Sequence, residues 1–125
     1  MDHLQSQYPQ DYVQDSILAY KEGIGQFVQK MPELGNKYLE FTAACFQGGV
    51  IGEKGKHLMA LSIAICLQDE YCIMYHGKEA LDKGATEQEI LETVGVCAAF
   101  GGGAALAQGV TLVNDIVVEY GRQGY

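Results

Sequence analysis

His57-Leu58-Met59-Ala60-Leu61-Ser62-Ile63-Ala64-Ile65-Cys66-Leu67 is the run that decides the fold. It is almost entirely apolar, yet it falls well short of the roughly 18 residues needed to span a bilayer. With no alternation of period two, and more length than a typical strand, it predicts a helix buried on nearly all sides. Polar Gln68-Asp69-Glu70 ends the run. Asp69 is a natural N-cap, predicting a helix from Glu70 to about Lys83, with Gly84 as its C-terminal stop. Thr86-Glu87-Gln88-Glu89 has the capping-box pattern and opens a further helix carrying Ile90, Leu91, Val94 and Ala98. Phe100-Gly101-Gly102-Gly103 marks a break, and the remainder to about Tyr120 predicts a final long helix. Its β-branched Val110, Val113, Ile116 and Val117 favour strands, but no partner run of period two exists to pair with them.

Toward the N-terminus the pattern is the same. Pro9 can open a helix to about Lys30, on which Tyr12, Ile17, Tyr20, Ile24, Phe27 and Val28 form a rough helical stripe. Met31-Pro32 resets the chain. A second helix then places Leu34, Tyr38, Phe41, Ala44 and Cys45 on one face, and Gly48-Gly49 ends it. The 125 residues, 48% of them hydrophobic, fit one all-α domain of five to six helices spanning 1–125.

The formal net charge is −8, without any basic cluster. Nucleic acid and anionic membrane surfaces are therefore unsuited as partners, since both need concentrated Lys and Arg. Met1-Asp2-His3-Leu4-Gln5 has neither the basic start nor the apolar core of a secretion signal, so a cytoplasmic protein is expected. Cys45, Cys66, Cys72 and Cys97 are expected to be free thiols there. No CxxC pair and no structural zinc spacing is present. Cys45, Cys66 and Cys97 lie within apolar periodic runs and read as core.

Asp69-Glu70-Tyr71-Cys72-Ile73-Met74-Tyr75-His76 is the stretch that can carry chemistry. On a helix turning about 100° per residue, Asp69, Cys72 and His76 share one face. A thiol one turn from an imidazole is the minimal arrangement for an activated sulfur nucleophile, although such a pair also arises by chance in a helical core. A helix N-terminus at Asp69 would favour the Cys72 thiolate; the Asp69 carboxylate would oppose it and could instead orient His76. His57, Asp69, Cys72 and His76 are also acceptable metal ligands, but their spacing is not diagnostic, and neither metal nor cofactor is expected. Gly101-Gly102-Gly103 lacks the preceding strand and following basic residue of a phosphate loop, so close helix packing explains it better.

The stretches Lys56–Ala64, Asp69–His76 and Ala80–Glu92, continued by Gly101-Gly102-Gly103-Ala104-Ala105-Leu106, resemble the core of the carboxymuconolactone decarboxylase/AhpD-like family from about residue 54 to 108. The resemblance implies an all-helical bundle that assembles into homo-oligomers, commonly trimers or hexamers. Its members include thiol enzymes that reduce peroxides through a CxxCxxxH motif and decarboxylases of a carboxylated lactone. Here that motif reads Asp69-x-x-Cys72-x-x-x-His76, and the family's proton-relay glutamate falls on His57. The resemblance therefore carries over Cys72 and His76 directly, with His57 and Asp69 in site positions of altered chemistry.

Three functions remain. The first is a one-cysteine peroxide-reducing oxidoreductase: Cys72 attacks peroxide, His76 activates it, His57 relays protons and an external thiol reductant closes the cycle. The second is a lyase acting on a small carboxylated lactone through His57, Asp69 and His76; it would want an Arg, and the chain has only Arg122. The third is a non-catalytic oligomeric ligand-binding protein. Apolar helices on so short a chain also predict self-association.

Overall fold

A computed structural model of the chain describes residues 8–121, and every regular element among them is helical. α1 (Tyr12–Lys30) and α2 (Pro32–Phe46) form a first hairpin, reset at Met31-Pro32 as the sequence predicts. α3 (Glu53–Leu67) and α4 (Glu70–Asp82) form a second. α5 (Glu87–Gln108), a π-helical turn (Gly109–Val113) and α6 (Asn114–Tyr120) then run on as one bent helical stretch. α3 packs most extensively on α4 and α5, while α4 also meets α1 and α6.

Local signals account for the boundaries. The Asp69 carboxylate accepts a hydrogen bond from the Cys72 backbone N–H at 3.2 Å, capping α4. Thr86 and Glu89 exchange both bonds of a capping box at the start of α5. Gly84 follows α4 at φ 100°, a left-handed conformation open to glycine at little cost. The break expected at Phe100–Gly103 is a kink: Gly102 adopts φ 68°, ψ −148° inside α5. Only Gly101 serves close packing, where a Cβ would lie 2.9 Å from that of Ala105.

The core is built from Leu61, Ile65, Ile73, Met74, Leu81, Ile90, Leu112 and Ile116, all essentially inaccessible to solvent. At roughly 1.5–3 kcal/mol for each large apolar side chain fully buried, this centre holds α3, α4, α5 and α6 together.

Two expectations about burial need correction. α3 is not buried all round: His57, Leu61, Ala64 and Ile65 face inward, while Met59, Ile63 and Leu67 are 46%, 60% and 73% exposed. The apolar stripe of α2 likewise faces outward at Leu34, Tyr38 and Phe41. Of the three cysteines read as core, only Cys97 is buried; Cys45 and Cys66 are exposed. Residues 87–120 also form a helical stretch that, by its length and an 18-residue window of mean hydropathy 1.6, could cross a membrane, an allowance the separate apolar runs had not suggested. Here it bends at Gly102 and contributes Ile90, Val94, Cys97 and Ala105 to the core.

Candidate functional site

The α3–α4 hairpin brings the first turn of α3 beside the middle of α4. His57, the first residue of an otherwise apolar inward face, is only 5% exposed. Its Nδ1 lies 3.0 Å from Nδ1 of His76. Since each nitrogen can hold only one proton, one imidazole donates and the other accepts, and the two cannot both be cationic at this distance. Phe46, the last residue of α2, covers the pair. Its ring stacks on His57 at 4.7 Å between centroids and on His76 at 5.0 Å. Tyr75 meets both imidazoles edge-on.

This enclosure sets the proton affinities. Burial, followed by the nearby His57, lowers the His76 pKa to about 4, and Asp69 only partly offsets this. Burial likewise lowers that of His57, with Glu79 pulling the other way. At neutral pH both rings are therefore uncharged. One then carries its proton on Nδ1, the other on Nε2, and together they expose one free acceptor nitrogen and one N–H donor.

A cavity of about 400 Å³ adjoins the pair, bounded by α1, α2, α3 and α4. His57, Cys72 and His76 all line it, with Tyr20, Tyr38, Tyr75, Ile24, Leu39 and Phe46 giving it a mainly apolar wall. Lys21 supplies its one lysine. His57 also borders a second, more open and more polar groove of about 600 Å³, whose lining includes Glu40, Glu53, Glu79 and Lys83. His57 thus belongs to both spaces; His76 borders only the apolar one.

Cys72 shares the cavity, in surroundings that disfavour its thiolate. Burial, then a hydrogen bond to Asp69 and its negative charge, raise its pKa to about 11. The helix N-terminus is outweighed, and the hydrogen bond of His76 goes to His57. Asp69 is the α4 cap and stands outside the cavity lining. The four sequence candidates therefore divide: His57, His76 and Cys72 meet at one cavity, and Asp69 acts on Cys72 from its edge. They do not gather as a metal site; among the described residues no three His, Cys, Asp or Glu side chains do so.

Phe46, Lys21, Tyr20 and Tyr38 had no sequence signal tying them to the site, since they arrive on α1 and α2 through tertiary packing. Arg122 lies outside the described residues, and Lys21 is the cationic side chain in the cavity lining.

The sequence profile of the Carboxymuconolactone decarboxylase family matches residues 32–115. The chain is 30% identical over 84 residues to uncharacterised protein 4 of the cox locus of Paracoccus denitrificans, covering 67% of this chain and 76% of that protein. It is 32% identical over 60 residues to an uncharacterised Haemophilus influenzae protein, covering 48% and 53%. A carboxymuconolactone decarboxylase family protein from Legionella pneumophila superposes with a TM-score of 0.83 at 26% identity, over 90% of this chain and 99% of that one. A Thermotoga maritima member of the same family superposes at 0.73 with 20% identity, over 86% and 94%, and shares the fold. With two thirds of its length matched by the family profile, the chain belongs to the carboxymuconolactone decarboxylase family.

Proposed function

We propose that the chain is a general acid–base enzyme of the decarboxylase type, acting on a small carboxylated ring such as a lactone. The observation that carries this reading is the 3.0 Å contact between Nδ1 of His57 and Nδ1 of His76 at the wall of a mainly apolar cavity. A pair of neutral imidazoles joined in this way can take up a proton at one end and release one at the other without either ring holding a lasting charge.

The steps follow from the placement of the two rings. The substrate's non-reacting anionic group sits at Lys21, and the departing carboxylate lies against the apolar wall, where loss of its charge as CO2 is favoured. As the C–C bond breaks, its electron pair passes into the conjugated ring carbonyl. His76 gives its Nε2 proton to carbon, the Nδ1 proton of His57 crosses to His76, and His57 is reprotonated on Nε2 by water from the polar groove. The hydroxide left behind combines with CO2 as bicarbonate, so charge and atoms balance, and proton exchange with water returns both rings to their starting tautomers before the next turnover.

The test is release of CO2 from a γ-lactone bearing a ring carboxylate. The wild type should turn it over, and His76→Gln should lose at least 100-fold, within the range usual for general acid–base groups. No turnover by the wild type would refute the reading.

A second reading, thiol-dependent peroxide reduction at Cys72, has one observation in its favour: Cys72 lines the same cavity as both histidines. Its pKa of about 11 opposes it. Peroxide consumption lost on Cys72→Ser and retained on His57→Gln would establish it in place of the lyase.

We also propose that the chain self-associates. Phe100 is 87% exposed, Leu67 73% and Val96 59%, large apolar side chains that a second copy can cover. A monomer in sedimentation at micromolar concentration would contradict this.

A further inference from the structure

The mechanism above leaves two cysteines in contact and unused. Cys66, near the C-terminal end of α3, and Cys97, on α5, meet where the two helices cross. Cys66 Sγ lies 3.9 Å from the carbonyl oxygen of Cys97. Cys97 Sγ lies 3.6 Å from the carbonyl oxygen of Ser62, one turn before Cys66. Each sulfur thus lies over the backbone of the other's helix, which sets the two thiols side by side at the crossing. α5 runs close beside this sulfur, since a Cβ at Gly101 would be in ordinary contact with Cys66 Sγ at 3.7 Å.

The two differ in access. Cys66 is exposed, whereas Cys97 is 2% exposed. Burial is the first cause raising the Cys97 pKa, so it stays protonated while Cys66 meets solvent. An accessible sulfur backed by a second thiol is the arrangement in which oxidation stops at a disulfide instead of continuing to sulfinic acid.

We propose that Cys66 and Cys97 form a redox-active pair that closes to a disulfide between α3 and α5 on exposure to hydrogen peroxide. The Cys66 thiolate attacks the peroxide: an S–O bond forms, the O–O bond breaks, and the leaving hydroxide takes up the proton the thiol had released and departs as water, so Cys66 becomes a sulfenic acid. Cys97 sulfur then attacks Cys66 sulfur; the S–S bond forms, the S–O bond breaks, and the hydroxide departs as water with the Cys97 proton. Two thiols lose two hydrogens and one peroxide becomes two waters. An external dithiol returns the two electrons. The closed bond ties α5 to α3 just before the Gly102 kink. Neither sulfur lines the histidine cavity, so this pair is independent of the proposed lyase chemistry.

The experiment treats the reduced full-length protein with a small excess of hydrogen peroxide, blocks remaining thiols by alkylation and maps the peptides. The expected product is a chain two hydrogens lighter with a Cys66–Cys97 linked peptide, restored by dithiothreitol. It should persist in Cys45→Ser and Cys72→Ser and vanish in Cys66→Ser, an exposed change whose helicity circular dichroism verifies. In Cys97→Ala, Cys66 should instead be trapped as sulfenic acid by dimedone. Cys97 left fully alkylatable after denaturation, or Cys66 linked only between chains, would overturn the proposal.

Discussion

Nδ1 of His57 and Nδ1 of His76 stand 3.0 Å apart beneath the ring of Phe46. At the same two positions a glutamate and a histidine would form an ion pair; two imidazoles form a neutral one, with a lowered proton affinity on both sides. With a second imidazole where the family has its proton-relay glutamate, the pair carries no net charge at neutral pH.

Cys72 should be a slow thiol. Burial and then Asp69 hold its pKa near 11, so its alkylation by iodoacetamide at pH 8 should lag that of exposed Cys45 and Cys66 by at least tenfold. Asp69→Asn keeps a good N-cap while removing the charge, and should speed Cys72 alkylation several-fold without restoring an ordinary thiol. Peptide-resolved mass spectrometry measures all four rates in one experiment.

Phe46 is the cover of the histidine pair. Phe46→Ala should admit water, raise the His76 pKa from about 4 toward its ordinary value, and weaken catalysis at neutral pH. Because the ring is half-buried, the stability loss should be about 1–2 kcal/mol, below that of a fully buried aromatic. Histidine titration by NMR and urea unfolding check the two effects separately.

Stability should respond to acid in two opposing ways. His76, with its pKa lowered to about 4, adds stability that is present above pH 6.5 and is lost as the pH falls toward 4, because the unfolded chain binds the proton first. Asp115, buried beside Glu119 with its pKa raised to about 6, does the reverse: its contribution is present below about pH 3.8 and is lost as the pH rises through 6. Glu119 also accepts hydrogen bonds from the Val13 and Gln14 backbone, tying α6 to the start of α1. In Asp115→Asn the urea midpoint should therefore fall more steeply between pH 6.5 and 4 than in the wild type. His76→Gln should flatten the same limb.

The parts of the fold legible in the sequence are those set by neighbours along the chain. Asp69, Thr86 with Glu89, and Gly84 each act within one helical turn, so their roles as caps and stop survive in the structure. Hydropathy was a poorer guide to burial. The run His57–Leu67 is almost entirely apolar, but a helix has only as many buried faces as it has neighbours, and among the described residues Ile63 and Leu67 stay exposed. The site was half legible. Helical spacing puts Cys72 and His76 on one face, but their partners are decided by packing between helices. His57 reaches His76 across the α3–α4 hairpin, and Asp69 reaches Cys72 first. Phe46 and Lys21 come from α2 and α1, beyond any local pattern.

The most direct measurement of the central claim is the tautomeric state of the imidazoles, read by long-range ¹H–¹⁵N correlation NMR. The chain has only three histidines, and His3→Gln removes the third signal set. The account predicts that at pH 7 His57 and His76 are both neutral, one protonated on Nδ1 and the other on Nε2, and that both titrate below 6.5. A cationic ring at pH 7, or two rings both protonated on Nε2 alone, would contradict it.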